Sequence, residues 1–481
     1  MLLLSKLKNI SFAAYAFIFL FAFVLYLPAL NFGLSHLDDI KLVRQLSSVY
    51  DEPNSIAFAF FNDVFYGTDA HLAYYRPMLS VSFILDHKIV KALNPVFSVS
   101  PDAFSHFTNV ILHCVCSVLV FFFFGRYLLG FRFSFIAALL FAAHPIALQT
   151  VAWIPGRNDS ILLMFFIPCF AFFIEYLNTK NWYFLFFHGL FLMFCLGTKE
   201  TAVVIVPLLW IYYILNRNPD SKLSACAYAA WGIILGVFFF IKSAVVPGQF
   251  INMLYVEGSK AFVQNALGFL DLLSAIVFFR APAAEHIETK VIILGIISAL
   301  IILFSTFWKT DKKTIRQNIC FMAGILAFFA PNFVVMRFFF QGNRIYVGFF
   351  FVLAIVFSFA ERLKNKQKNA AVIIAAALII LSSYITRKHE YIYEDDMSMW
   401  TAVAAEAPKI KLLPLLFYAD MLIRRNDFDT AMPLLTGLAE QTNYTNVSIL
   451  FRIERVYERQ GDAEKVLQIQ GLINKELQSR Q

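Results

Sequence analysis

Charge is what this chain has least of. Asp, Glu, Lys and Arg make up 15% of its 481 residues, against 60% hydrophobic residues, 57 Phe and a mean hydropathy of +0.68. No water-soluble single core of this length carries that balance, so the sequence reads as a polytopic membrane protein. Cysteine is scarce as well. The six, Cys114, Cys116, Cys169, Cys195, Cys226 and Cys320, all lie in apolar runs, which argues against a disulfide framework and against a thiolate metal site. No small-residue cleavage site follows the first apolar stretch, which is also too long for a removed signal peptide. No HxH or HxxxH spacing links His36, His71, His87 and His106, so zinc ligation gains little support. The formal net charge of +8 does not point to nucleic acid, because most Lys and Arg sit in short segments between apolar runs, where membrane topology accounts for them.

What is abundant is apolar sequence long enough to cross a bilayer, which takes about 17 to 25 residues per helix. Such stretches lie near 10–30, 104–124, 133–151, 160–177, 182–198, 201–215, 226–246, 291–308, 319–336, 345–360 and 370–386, giving an all-α bundle of about eleven transmembrane helices. Every second connection is basic: Lys6 and Lys8, Arg126 and Arg132, Lys180, Arg217 and Lys222, Lys309 to Arg316, then Arg362 to Lys368. Placing these in the cytoplasm puts the N-terminus inside, and the loops 31–103 and 247–290 outside with the tail. A further apolar stretch, 262–279, would break this alternation as a span, so it is expected to be interfacial or re-entrant. Residues 1–390 are thus read as the membrane domain and 391–481 as a small helical domain. In that tail, Arg425 and Arg459 head similar turn sequences 34 residues apart, the tetratricopeptide period.

The loop after the first helix holds the densest set of titratable residues, among them Asp38, Asp39, Asp63, Asp69, Asp86 and Asp102. A carboxylate at the membrane edge can act as general base toward an incoming hydroxyl or amine, because partial desolvation raises its basicity. One of Asp38 and Asp39 would be that base; the other would orient the acceptor or hold a divalent cation. The competing reading is a helix cap before Ile40. Cations recur where helices should emerge on the outer side: Arg76, Arg157, Lys199, Arg337 and Arg344. They suggest an anionic ligand, and a lipid-linked phosphate suits guanidinium forks held out of water. Local pairing of Arg157 with Asp159 and of Lys199 with Glu200 is the alternative.

These residues form an ordered series: Asp38-Asp39, Tyr75-Arg76-Pro77, His144-Pro145, Gly156-Arg157-Asn158-Asp159, Lys199-Glu200, and Asn343-Arg344-Ile345-Tyr346. With Trp400 and the repeat-like tail, the series resembles the transmembrane and tetratricopeptide-repeat-containing O-mannosyltransferases and their prokaryotic relatives, within the C-type (GT-C) glycosyltransferase superfamily. The resemblance implies an integral-membrane enzyme that moves a sugar from a polyprenyl phosphate, with inversion, to an extracytoplasmic protein or glycan acceptor. It places catalysis on Asp38 and Asp39, and donor phosphate binding on Arg76, Arg157, Lys199, Arg344 and Tyr346. His144, Asp159 and Glu200 would support them. Eukaryotic members carry a long repeat array where this tail holds about two units, and the late motif lacks a Glu before Arg344 and a Pro-Ser after Tyr346. The short tail leans toward a bacterial inner or plasma membrane. A transporter would place charges in mid-helix and show an inverted repeat, and a non-enzymatic assembly factor would need only the tail; the polar clustering at one face favours the enzyme.

Overall fold

The computed structural model describes residues 12–35, 38–68, 74–216, 225–247, 258–281, 288–330, 342–406 and 412–478. His36, Asp69, His71, Arg337, Lys6, Lys8, Arg217 and Lys222 lie outside the described residues. The principal helices are α1 (Phe12–Leu25), α2 (Pro77–Leu93), α3 (Pro101–Tyr127), α4 (Phe131–Ala143), α5 (Leu148–Ala152), α6 (Arg157–Thr179) and α7 (Trp182–Thr198). Next come α8 (Ile205–Asn216), α9 (Ala225–Val245), α10 (Gly258–Val277), α11 (Thr289–Phe307), α12 (Lys312–Phe329), α13 (Tyr346–Glu361) and α14 (Asn365–His389). The tail holds α15 (Asp396–Glu406), α16 (Leu412–Arg424), α17 (Phe428–Gln441), α18 (Val447–Gln460) and α19 (Ala463–Gln478). The described residues contain no strand.

Each of the eleven expected apolar stretches contains a helix, and the chain is a multi-pass membrane protein. Among the described residues, six segments are long and apolar enough to cross a bilayer: Pro101–Tyr127, Ile154–Thr179, Ala225–Val245, Thr289–Phe307, Gly342–Glu361 and Asn365–Tyr393. A bent pair, Phe131–Ala143 with Pro145–Ala152, makes a seventh. Helix α1, helix α7 and the stretch Glu200–Asn216 are too short to pass the same test, so length and composition support six or seven crossings where eleven are expected. The apolar part of α10, Asn265–Val277, is also short.

Segments Ile154–Thr179 and Gly342–Glu361 lie mostly inside the bundle, whereas α9 and α14 are largely uncovered by protein. Lipid tails are as apolar as Leu, so close van der Waals packing must hold such helices together. Phe supplies much of it. Phe123 of α3 meets Phe170 of α6 and Phe350 of α13, both with ring centroids 5.3 Å apart. Gly324 brings α12 against α13, since a Cβ there would come within 2.8 Å of the Phe351 ring.

The stretch 133–151, read as one span, bends by 50° between α4 and Pro145–Ala152. Pro145 has no N–H to continue the ladder and disfavours helical backbone at the preceding residue; His144 is accordingly extended (φ −70°, ψ 131°). A second break precedes Arg157. There Gly156 packs so closely on the backbone of Gln149 and Thr150 that no side chain fits. Carbonyls freed by such breaks must find partners away from water. Thr386 Oγ1 donates to Ala143 O at 2.7 Å, and Asn109 Nδ2 reaches Val151 O, Trp153 O and Ile154 O at 3.1, 3.0 and 3.2 Å.

The far ends of these helices gather basic groups. Arg126 Nη2 pairs with Glu175 at 3.1 Å near the C-termini of α3 and α6. Arg362, after α13, donates to Ser305 O of α11 at 2.7 Å.

A separate compact unit begins at Asp395. Its consecutive helices pack on one another, and the turns before α17 and before α19 are set by local chemistry. Asn426 and Gly461 take left-handed backbone (φ 59° and 76°), and Asp427 and Asp462 accept from the Thr430 and Lys465 amides at 3.2 Å each. Arg459 Nη1 then binds Ile423 O at 2.8 Å, tying the second turn to the first.

Candidate active site

The first acidic pair splits into two environments. Asp39 is 1% exposed, and its Oδ2 accepts from Ser35 N at 2.5 Å and Ser35 Oγ at 2.7 Å. Trp153 Nε1 donates to that hydroxyl at 3.2 Å, so Asp39 fixes the loop against the break before α6. Asp38 instead opens to solvent and accepts no hydrogen bond from a described residue. Protein closing around its other sides, together with the neighbouring Asp39 charge, raises its pKa above the usual carboxylate range, while Lys41 and Arg76 act against the rise. A helix does start at Asp38, so a capping role for this pair coexists with any chemistry.

Arg76 stands where the extended loop enters α2 and Pro77 takes the first helical position. Its Nε pairs with Glu200 Oε2 at 3.1 Å and its guanidinium lies 4.2 Å from the Tyr74 ring centroid. Lys199 Nζ pairs with Asp159 Oδ1 at 2.7 Å, and Asn343 Nδ2 donates to the other oxygen of Asp159 at 3.0 Å. Asn343 N in turn donates to Gln149 Oε1 at 3.1 Å, which anchors the turn before α13 to α5. Arg344 lies within electrostatic range of Asp159, Tyr74 and Arg76. The local pairing Lys199 with Glu200 therefore does not form. Adjacent residues at the end of α7 point to different partners, and the ion pairs run between α2, α6 and α7.

Lys242, near the end of α9, completes this group; it is buried and interacts with Glu200 and Arg76. Sequence reading passed over it, although a lone Lys inside an apolar run is a signal in itself. Arg76, Lys199, Arg344 and Lys242 thus face two carboxylates, Asp159 and Glu200. With Asp38, which shares the field of Arg76, four positive charges face three carboxylates, an excess suited to an anion.

Two expected members stand elsewhere. Arg157 is fully buried and bonds protein through all three guanidinium nitrogens: Nε to Asn109 Oδ1 at 2.8 Å, Nη1 to Asp86 Oδ2 at 2.6 Å, and Nη2 to Ser105 O at 2.8 Å. Its face rests on Phe83 at 4.1 Å. With every nitrogen engaged by protein and the side chain fully buried, Arg157 clamps α2, α3 and α6 rather than facing a phosphate, and its expected pairing with Asp159 gives way to Asp86. Tyr346 is also fully buried; its hydroxyl lies 2.7 Å from His113 Nδ1 in the core, away from the cations. His144 caps the break at Pro145, with Nδ1 accepting from Ile146 N at 3.1 Å and Nε2 lying 2.9 Å from Ile276 O. It supports the bend that carries Gln149.

The described histidines of the first loop have ordinary partners: His87 lies 2.9 Å from Asp51, and His106 3.2 Å from Gly33 O. Among the described residues, no three or more of His, Cys, Asp and Glu stand together as a metal ligand set.

No family model matches the chain. Curated relatives do. The chain is 33% identical over 164 residues to the human protein O-mannosyl-transferase TMTC2, covering 33% of this chain and 18% of that protein. It is 30% identical over 200 residues to the fruit-fly (Drosophila melanogaster) protein O-mannosyl-transferase Tmtc1, covering 40% and 22%. The match therefore spans about a fifth of those relatives' length. Among solved structures, the archaeal oligosaccharyltransferase AglB from Archaeoglobus fulgidus, in complex with an inhibitory peptide and a dolichol-phosphate, superposes with a TM-score of 0.47 at 14% identity. That superposition covers 86% of this chain and 58% of AglB. The O-mannosyltransferase resemblance carried by the sequence motifs is thus met by direct sequence comparison.

Proposed function

We propose that this chain is a membrane glycosyltransferase that moves a sugar from a polyprenyl-phosphate donor, with inversion, to an extracytoplasmic acceptor, foremost a protein hydroxyl. One observation carries the reading: cations brought from α2, α7, α9 and the turn before α13 meet at the same end of the bundle as an open carboxylate, Asp38, whose field includes Arg76. The similarity to O-mannosyltransferases supports it.

In this mechanism Asp38 takes the acceptor's proton as the acceptor oxygen forms its bond to the sugar C1. The bond from C1 to the phosphate oxygen breaks on the opposite face, and its electron pair stays on the lipid phosphate. Arg76, Arg344, Lys199 and Lys242 stabilise the charge that builds there, with Arg76 and Lys199 already held in place by Glu200 and Asp159. Asp39 is a positioning residue that acts through Ser35. The polyprenyl chain lies in the surrounding lipid.

The basic far ends face the cytoplasm in this reading, which puts the N-terminus inside and the site and tail outside, in a bacterial inner or plasma membrane. Mass spectrometry of surface glycoproteins and glycolipids from cells with and without the gene tests it. Loss of a glycan from protein is the expected result; loss from glycolipid alone would move the acceptor to lipid, and unchanged glycans would sink the proposal.

A further inference from the structure

We infer that Glu200 and Asn343 read the sugar of the donor by accepting its hydroxyl hydrogens. This deepens, and rests on, the donor assignment above. Each side chain is held by one atom and leaves another unused. Glu200 commits Oε2 to Arg76 and Asn343 commits Nδ2 to Asp159, while Glu200 Oε1 and Asn343 Oδ1 are buried with no hydrogen-bond partner among the described residues. A buried acceptor without a donor loses its hydration with no return, so two of them in one polar group point to an absent partner. Both belong to the cluster that holds the cations, since Arg76 interacts with Glu200 and with Asp159.

The chemistry of that partner follows from its surroundings. A phosphate cannot fill the role, because its ionised oxygens bring no hydrogen and are repelled by a carboxylate. A sugar ring brings several O–H donors and no charge. The same cluster then divides its work: cations meet the phosphate, and leftover acceptors meet the ring attached to it. Glu200 is 9% exposed at its side chain, so a hydroxyl bonded there would be shielded from water and strongly discriminated.

The test uses the full chain in lipid nanodiscs and two probes: a polyprenyl-phosphate-linked hexose and the same polyprenyl phosphate without sugar. The wild type should bind the sugar-bearing probe about 10-fold more tightly. Glu200→Gln and Asn343→Ala should each lose most of that preference, read as the ratio of the two affinities, which a change in phosphate binding common to both probes does not move. A panel of monodeoxy donors on the wild type needs no variant to fold, and at least one should bind about 10-fold more weakly than the parent. If the variants weaken both probes alike, the two residues only shape the phosphate site and the inference fails while the donor assignment stands. If the wild type binds both probes and every deoxy donor equally, the acceptors hold water and the inference again fails alone. If the wild type binds neither probe, the donor assignment falls and takes the inference with it.

Discussion

At the scale of single residues, neighbours in sequence divide into different tasks. Asp38 and Asp39 differ because Ser35, itself held by Trp153, binds one carboxylate and leaves the other open. A base whose pKa is raised loses its proton only at higher pH, so the acid limb of the pH–rate profile should lie above the usual carboxylate range, with activity falling as pH drops through it. Asp39→Asn removes a like charge beside Asp38, and the limb should move to lower pH. A limb that stays in place would assign the titration to another group. Arg157→Met leaves Asp86 buried without its partner, which should cost about 3–5 kcal/mol of stability. Thermal unfolding in detergent measures this, and an undiminished melting temperature with lost activity would return Arg157 to the ligand site. Arg344→Gln should instead keep stability and lower kcat by about 10²–10³, read as turnover at saturating donor.

At the scale of elements, the apolar runs showed where helices form, because length and hydropathy govern that directly. They did not show which helices cross, since α1, α7 and α8 are short and their depth depends on neighbours. The stretch 133–151 reads as one span, and its bend at Pro145 depends on Thr386, 243 residues from Ala143, to take the freed carbonyl. The candidate site was legible to the same degree. Helix-end positions point to Arg76, Lys199 and Arg344, the family resemblance adds Asp159 and Glu200, and the five stand together in the structure. Arg157 misled, because a guanidinium beside a carboxylate in sequence says nothing of Asp86, 71 residues away. Lys242 was missed because it sits in an apolar run rather than at a motif. Gly156→Ala is the element-scale test. Its Cβ would strike the Gln149 carbonyl and Thr150 backbone, shifting Gln149 and with it Asn343. Donor affinity and thermal stability should fall together, and wild-type values for both would show that the break tolerates a side chain.

At the scale of the whole molecule, one end of the bundle concentrates basic groups around Arg126, Arg132 and Arg362, and the other concentrates paired ions around an open carboxylate. In the proposed orientation a cytoplasmic bias for Lys and Arg sorts those ends, and the proposed transfer then needs only a lipid donor reaching the second end from within the membrane. Everything else in the functional account depends on Asp38 acting on an acceptor while the cations act on the donor. The direct measurement is single-turnover sugar transfer from a polyprenyl-phosphate-linked hexose by the purified full chain and its Asp38→Asn variant, with donor binding recorded in parallel. The account predicts transfer slowed by about 10²–10⁴ with donor affinity unchanged. Transfer at the wild-type rate by Asp38→Asn would contradict it.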